Sequence, residues 1–158
     1  MAYHDDLIEH AFFLTKLNMP NIPNQVDLRR AISAAYYALF HLLTTEAAQN
    51  WKHQSHRIRF ARMFDHGRMK ACSSKVSAGP LPNDPAEKLV ATDLKLVAKL
   101  LVSLQSDRHS ADYDNSRIWS RTDVHETITL AQNAITAWMA IREKGIAQDY
   151  LFDLMGTR

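Results

Sequence analysis

From Leu28 to Leu43 the apolar residues Leu28, Ile32, Ala35, Leu39 and Leu43 recur at steps of three and four, a spacing that an α-helix gathers onto one face. Asn24 supplies an N-cap, and the pattern continues to about Asn50. At ~1.5 Å per residue, such a helix runs roughly 35–40 Å and can act as the spine of a domain. Tyr36, Tyr37 and Phe40 widen its apolar face. A helix so long and so one-sided must be covered along its length. The covering elements are helices too, because no strand pattern of useful length occurs in the chain.

A short first helix is expected over about residues 5–18, from Leu7, Ile8, Ala11, Phe12 and Leu14, ended by Pro20 and Pro23. The stretch after Trp51 reads as one or two short helices broken near Gly67. Its candidate buried positions are Ile58, Ala61, Met63, Phe64, Met69 and Cys72. SSKVSAGPLPN reads as a loop, with Gly79, Pro80 and Pro82 close together. Asp84, Pro85 and Glu87 then form a capping-box start for a helix whose stripe is Val90, Leu94, Val97, Leu101 and Leu104. Residues 106–121 lose the apolar period and read as a functional connector. The pattern resumes from about Asp123 with Val124, Ile128, Ala131, Ile135 and Trp138, Gly145 is a candidate terminator, and IAQDYLFDLM a short last helix. The expectation is an all-α fold, an antiparallel bundle of four to five helices in a single domain over residues 1–158.

At 158 residues the chain can bury one core without staples, and four glycines, five prolines and 46% apolar residues are ordinary globular usage. One cysteine, Cys72, rules out an internal disulfide framework and suits a reducing cytoplasm; it reads as an ordinary buried thiol. MAYHDDLIEH lacks the charged-then-apolar pattern of a signal peptide, and no apolar run approaches the roughly 20 residues of a membrane span. A cytoplasmic location with no membrane association is expected.

The net charge of +2 is unevenly spread. Between Lys52 and Lys75 seven basic residues stand against Asp65 alone, a local +6 that leaves −4 for the remainder. Arg57, Arg59, Arg62, Arg68 and Lys70 in this stretch are candidate RNA-binding residues, since a polyanion releases condensed counterions on meeting such a concentration of charge. A solvated helix face has the same composition.

Two segments carry candidate chemistry. In RRAISAAYYALFH, residues 29–41, Arg30, Ala34, Tyr37 and His41 share one helical stripe, which serves either helix packing or a polar site. In RHSADYD, residues 108–114, Arg108 and Asp112 are four apart and His109 and Asp112 three apart, so on a helix they meet. Arginine stays charged and grips phosphate, and histidine titrates near neutrality; together they can bind and cleave a phosphodiester, while the same residues can equally form a surface ion pair. His53, His56, Asp65 and His66 lack any recognised metal-ligand pattern, and no glycine-rich phosphate loop occurs. No metal and no cofactor is expected. Trp119, between Arg117 and Arg121, is the tryptophan best placed in sequence for base stacking.

RRAISAAYYALFH, with its arginine, small residues, paired tyrosines and phenylalanine, resembles the second helix of the HEPN family, and RHSADYD resembles that family's later arginine-to-ADY segment. Their order and their separation by a long helix are also similar. The resemblance implies a four- to five-helix bundle that forms a homodimer and acts on RNA as a metal-independent endoribonuclease of toxin-antitoxin or phage-defence systems. A non-catalytic RNA- or nucleotide-binding module, or a partner subunit of a nucleotidyltransferase-type antitoxin, is the alternative. It assigns catalysis to Arg108 and His109, with Asp112, Tyr113 and His41 as possible participants, and RNA contact to Arg30 and Tyr37 beside the basic stretch. Active members place a histidine four to six positions after the arginine and its polar neighbour; here Tyr113, Asp114 and Asn115 occupy those places.

Overall fold

The computed structural model describes residues 2–156 and is all-helical. Seven helices follow one another: α1 (Tyr3–Lys16), α2 (Gln25–Gln49), α3 (Gln54–Ala61), α4 (His66–Ala78), α5 (Pro85–Tyr113), α6 (Arg121–Ile141) and α7 (Gly145–Asp153). Four of them, α1, α2, α5 and α6, form the bundle.

Their directions can be read from cross-helix contacts. Tyr3 meets His41 and Asn18 meets Asp27, so α1 and α2 are antiparallel. Arg29, Ser33 and Tyr37 meet Ala111, Asp112 and Arg108 in turn, so α5 also runs against α2. Gln25 pairs with Trp119 just ahead of α6 and Glu46 with Arg142 just after it, so α6 runs with α2. The long second helix is thus the spine, with Leu28, Ile32, Ala35, Leu39 and Leu43 fully buried. Each of these leucine and isoleucine side chains contributes roughly 1.5–3 kcal/mol on leaving water.

The starts of the helices follow their capping residues. The Asn24 side chain accepts from the Val26 N–H at 2.9 Å, and Asp84 accepts from Ala86 and Glu87 at 3.0 and 2.9 Å. Several boundaries differ from the sequence reading. The break in the basic stretch falls at Arg62–Asp65 rather than at Gly67, because Asp65 caps α4 by accepting from the Arg68 N–H at 2.9 Å. α4 continues to Ala78 through much of the expected loop, since Ser73 is fully buried and hydrogen-bonded to Tyr150 at 2.7 Å. Gly145 does not terminate α6; it opens α7. Ile58 and Met63 are about 70% exposed rather than buried, because α3 has no buried residue; Phe64 and Met69 do enter the core.

The largest difference lies at residues 106–113, which extend α5 instead of forming a connector. The charged side chains there face the end of α2, so the helix needs no apolar stripe to be held. Arg29 donates to the carbonyls of Ala111, Asp114 and Arg117 at 2.8, 2.9 and 2.7 Å, closing the C-terminal end of α5 onto the connector that remains. Among the described residues no helix is long and apolar enough to cross a membrane.

Candidate functional site

Where the first half of α2 faces the last two turns of α5, Arg108 is held from three sides. Its Nη2 donates to the Tyr37 hydroxyl at 3.0 Å, and its Nε lies 2.9 Å from Asp112 Oδ2. That ion pair lacks a linear N–H···O alignment, so the Nε donor is not satisfied by it. The guanidinium carbon stands 5.5 and 5.8 Å from the ring centres of Tyr37 and Tyr36, within cation–π range. Asp112 is itself anchored, accepting from Ser33 Oγ at 2.9 Å. The small Ser33 and the buried Ala34 permit this close approach of α5 to α2.

A histidine from a third helix completes the cluster. His66, the first residue of α4, stacks on Phe40 with ring centres 4.3 Å apart, and its Nδ1 lies 2.5 Å from the Tyr36 hydroxyl. Burial raises the Tyr36 phenol well above its ordinary value, so it stays protonated. The two groups share one hydrogen bond whose donor is set by the His66 tautomer: with the proton of neutral His66 on Nε2, the hydroxyl donates to Nδ1 and Nε2 is a donor. Burial, and then the Arg108 charge, lower the His66 pKa and favour this neutral form.

His41, one turn beyond Tyr37, stacks against it at 5.9 Å. Its pKa is lowered by burial and next by His66. That shift favours the neutral imidazole near pH 7.

Of the residues expected at the site, Arg108, Asp112, Tyr37 and His41 are brought together. His109 and Tyr113 are not. They lie on the solvent side of α5, pair with each other at 5.0 Å between ring centres, and make no bond to Arg108 or Asp112, because positions one and five beyond Arg108 turn away from α2. Arg30 is exposed and lies outside the Arg108 cluster; its neighbour Arg29 makes the polar contacts to the end of α5 and the connector. Trp119 is only 3% exposed, covered by Arg117 at 3.7 Å and bracketed by Gln25, so it presents no free face for a base.

The basic residues do not form one patch. Lys70 Nζ donates to Ser106 Oγ at 3.0 Å, which ties this charge to α5. Arg59 and Arg62 are exposed on and just after α3, and Arg57 is tied to the Trp51 carbonyl at 3.0 Å. Arg68 and Lys75 turn the other way, lining a cavity of about 360 Å³ with Asp153. Cys72, partly buried, lines the same cavity. Among the described residues no three histidine, cysteine or acidic side chains converge as metal ligands.

Sequence reasoning missed His66 and Arg29. His66 lies about 40 residues before Arg108, in a segment whose periodicity is weak, and its nearness depends on α4 folding back against α2 and α5. Arg29 and Arg30 are adjacent and chemically identical, and only the phase of α2 against α5 separates them. No family model, no curated protein sequence and no solved structure matches this chain.

Proposed function

We propose that this is an RNA-directed, HEPN-like protein whose Arg108 cluster binds a phosphodiester and cleaves it as a metal-independent endoribonuclease, in the manner of toxin-antitoxin and phage-defence effectors. One observation carries the reading: a permanent cation, Arg108, and two histidines whose neutral forms are favoured by burial, His66 and His41, stand along one face of α2.

In this reading Arg108 and the His66 Nε2–H hold the non-bridging phosphate oxygens. His41 takes the proton of the adjacent ribose 2′-hydroxyl. The 2′-oxygen then bonds to phosphorus as the bond to the 5′-oxygen breaks, leaving a 2′,3′-cyclic phosphate and a 5′-hydroxyl that takes its proton from solvent. Charge accumulating on the phosphorane is met by Arg108, as an oxyanion is met by preorganised donors. Asp112 and Ser33 hold the arginine in place, and Lys70 adds attraction for the strand.

The test is purified protein with labelled RNA, with and without EDTA, beside Arg108→Ala. Cleavage that persists in EDTA and drops by ~10²–10³ in the variant is expected. No cleavage, or cleavage indifferent to Arg108, rejects the nuclease reading, and the drop in Arg108→Ala is what excludes a contaminating activity. Loss of His41 should cost ~10²–10⁴ if it is the base.

A second reading is favoured by a specific observation. The histidine that active HEPN proteins place after the arginine is absent, and the Tyr36 hydroxyl engages His66 Nδ1. A module that holds RNA without cutting it would show salt-sensitive binding with no product. Homodimerisation and a nucleotidyltransferase-type partner belong to the same proposal, with mass in solution and co-purification as their tests.

A further inference from the structure

A polar cavity opens along α2 from His41 toward Gln49, beyond the Arg108 cluster. It has a volume of about 270 Å³, and Tyr3 at the start of α1, His41 and Glu46 on α2, and Met139 and Arg142 at the end of α6 are among the side chains that line it. That is just below the roughly 300–1,000 Å³ typical of sites for drug-sized ligands, and leaves room for one flat nucleobase.

The walls differ in chemistry. Tyr3 and His41 give an aromatic side, their ring centres 5.1 Å apart. Glu46 is the acceptor. It is only 8% exposed, and its two oxygens are fixed by Arg142 Nη2 at 2.8 Å and the Trp138 indole N–H at 3.3 Å. A carboxylate has about four lone-pair sites, so one on each oxygen is left. Arg142 cancels the charge of Glu46, so the cavity does not call for an anion. It calls for a flat neutral ring with two adjacent N–H donors on one edge. Among the nucleobases guanine has that edge, its N1–H and N2 amino group; adenine and cytosine each offer a single donor group to a carboxylate, and uracil a single N–H.

We infer that this cavity is a guanine subsite that receives the base of the nucleotide whose 2′-hydroxyl faces His41. The inference rests on the RNA-directed reading of the Arg108 cluster, with which the cavity shares His41. On α2 His41 is four residues after Tyr37 and five before Glu46, so it stands between the Arg108 cluster and the carboxylate. Stacking on an aromatic wall with hydrogen bonds to the Watson–Crick edge is the usual way a protein reads an unpaired RNA base. Buried polar groups left unpaired by the wrong base make such a site selective.

Calorimetric titration of the protein with guanosine, inosine and adenosine tests this. Guanosine should bind saturably, inosine more weakly for want of the N2 amino group, and adenosine at least tenfold more weakly than guanosine. Glu46→Gln should abolish the preference. Because that change also leaves Arg142 without its partner, Met139→Trp, which fills the cavity from its half-exposed rim, serves as a second variant: it should remove guanosine binding from a protein with an unchanged melting temperature. Absence of saturable guanosine binding, equal affinity for adenosine, or binding untouched by Met139→Trp would each overturn the inference. Nucleosides carry no phosphate, so failure here leaves the Arg108 reading intact, and failure of RNA cleavage leaves this titration interpretable.

Discussion

At the scale of single residues the site is governed by which groups are kept neutral. His41 and His66 both have lowered pKa values, chiefly through burial, with His66 acting on His41 and Arg108 on His66. The sign of the effect on stability follows. Below the ordinary histidine value of about 6.5 the unfolded chain binds protons that the folded chain resists, so stability rises with pH in that window and levels off above it. The melting temperature should therefore fall on acidification from pH 7 to 5, and the fall should shrink in His41→Gln. A melting temperature that is flat or rises over this range would contradict the neutral histidines. Any RNA cleavage should show an acid limb over the same window, because a protonated His41 cannot accept the 2′-hydroxyl proton. Arg108 and Asp112 were legible as a pair from their spacing alone. Which histidine would join them was not, since His109 is the neighbour in sequence and His66 the neighbour in space.

Among the elements, the junction of α2, α5 and the 114–120 connector does the positioning. Arg29 satisfies carbonyls at the end of α5 that no further turn of helix can reach. Within the connector, Ser116 donates to Asp114 through its N–H and its hydroxyl, at 3.0 and 2.6 Å, and these bonds hold the Asp114 carboxyl below its usual range. Arg29→Ala should cost about 1.5–3 kcal/mol, the range for hydrogen bonds to a charged donor, and lower the melting temperature by roughly 3–12 °C for a chain of this size. Amide exchange should speed up over residues 114–119. Lysine at this position should not rescue, because an ammonium cannot span three carbonyls as a planar fork does. An unchanged melting temperature in Arg29→Ala would show that the α5 end is held by other means. The helices themselves were largely legible: the α2 stripe, the Asn24 and Asp84 caps and the α6 stripe all stand where periodicity and capping chemistry put them. The end of α5 was not, because the 106–113 side chains are polar and are anchored by partners on α2 rather than by an apolar face.

For the whole molecule the question is how charge is distributed over the surface. The +6 stretch is continuous in sequence but divides in space, with Lys70 against α5, Arg59 and Arg62 on the α3 side, and Arg68 and Lys75 toward α7. If RNA runs from the Arg108 cluster across α3, its affinity should fall linearly on a log–log salt plot, with a slope of about −0.7 per phosphate neutralised. Charge reversal at Arg59 and Arg62 should weaken binding for all sequences alike and flatten that slope; a slope that stays the same would remove α3 from the path. The sequence by itself determined that this chain is an all-α bundle around a long second helix, because apolar period and capping are local and each helix declares its own buried face. Tertiary structure alone decided that Tyr36, Tyr37, His41, His66 and Arg108 meet, that His109 and Tyr113 face solvent, and that Glu46 and Arg142 share a cavity. Those outcomes depend on the rotation and register of one helix against another, which are set by packing between segments far apart in the chain.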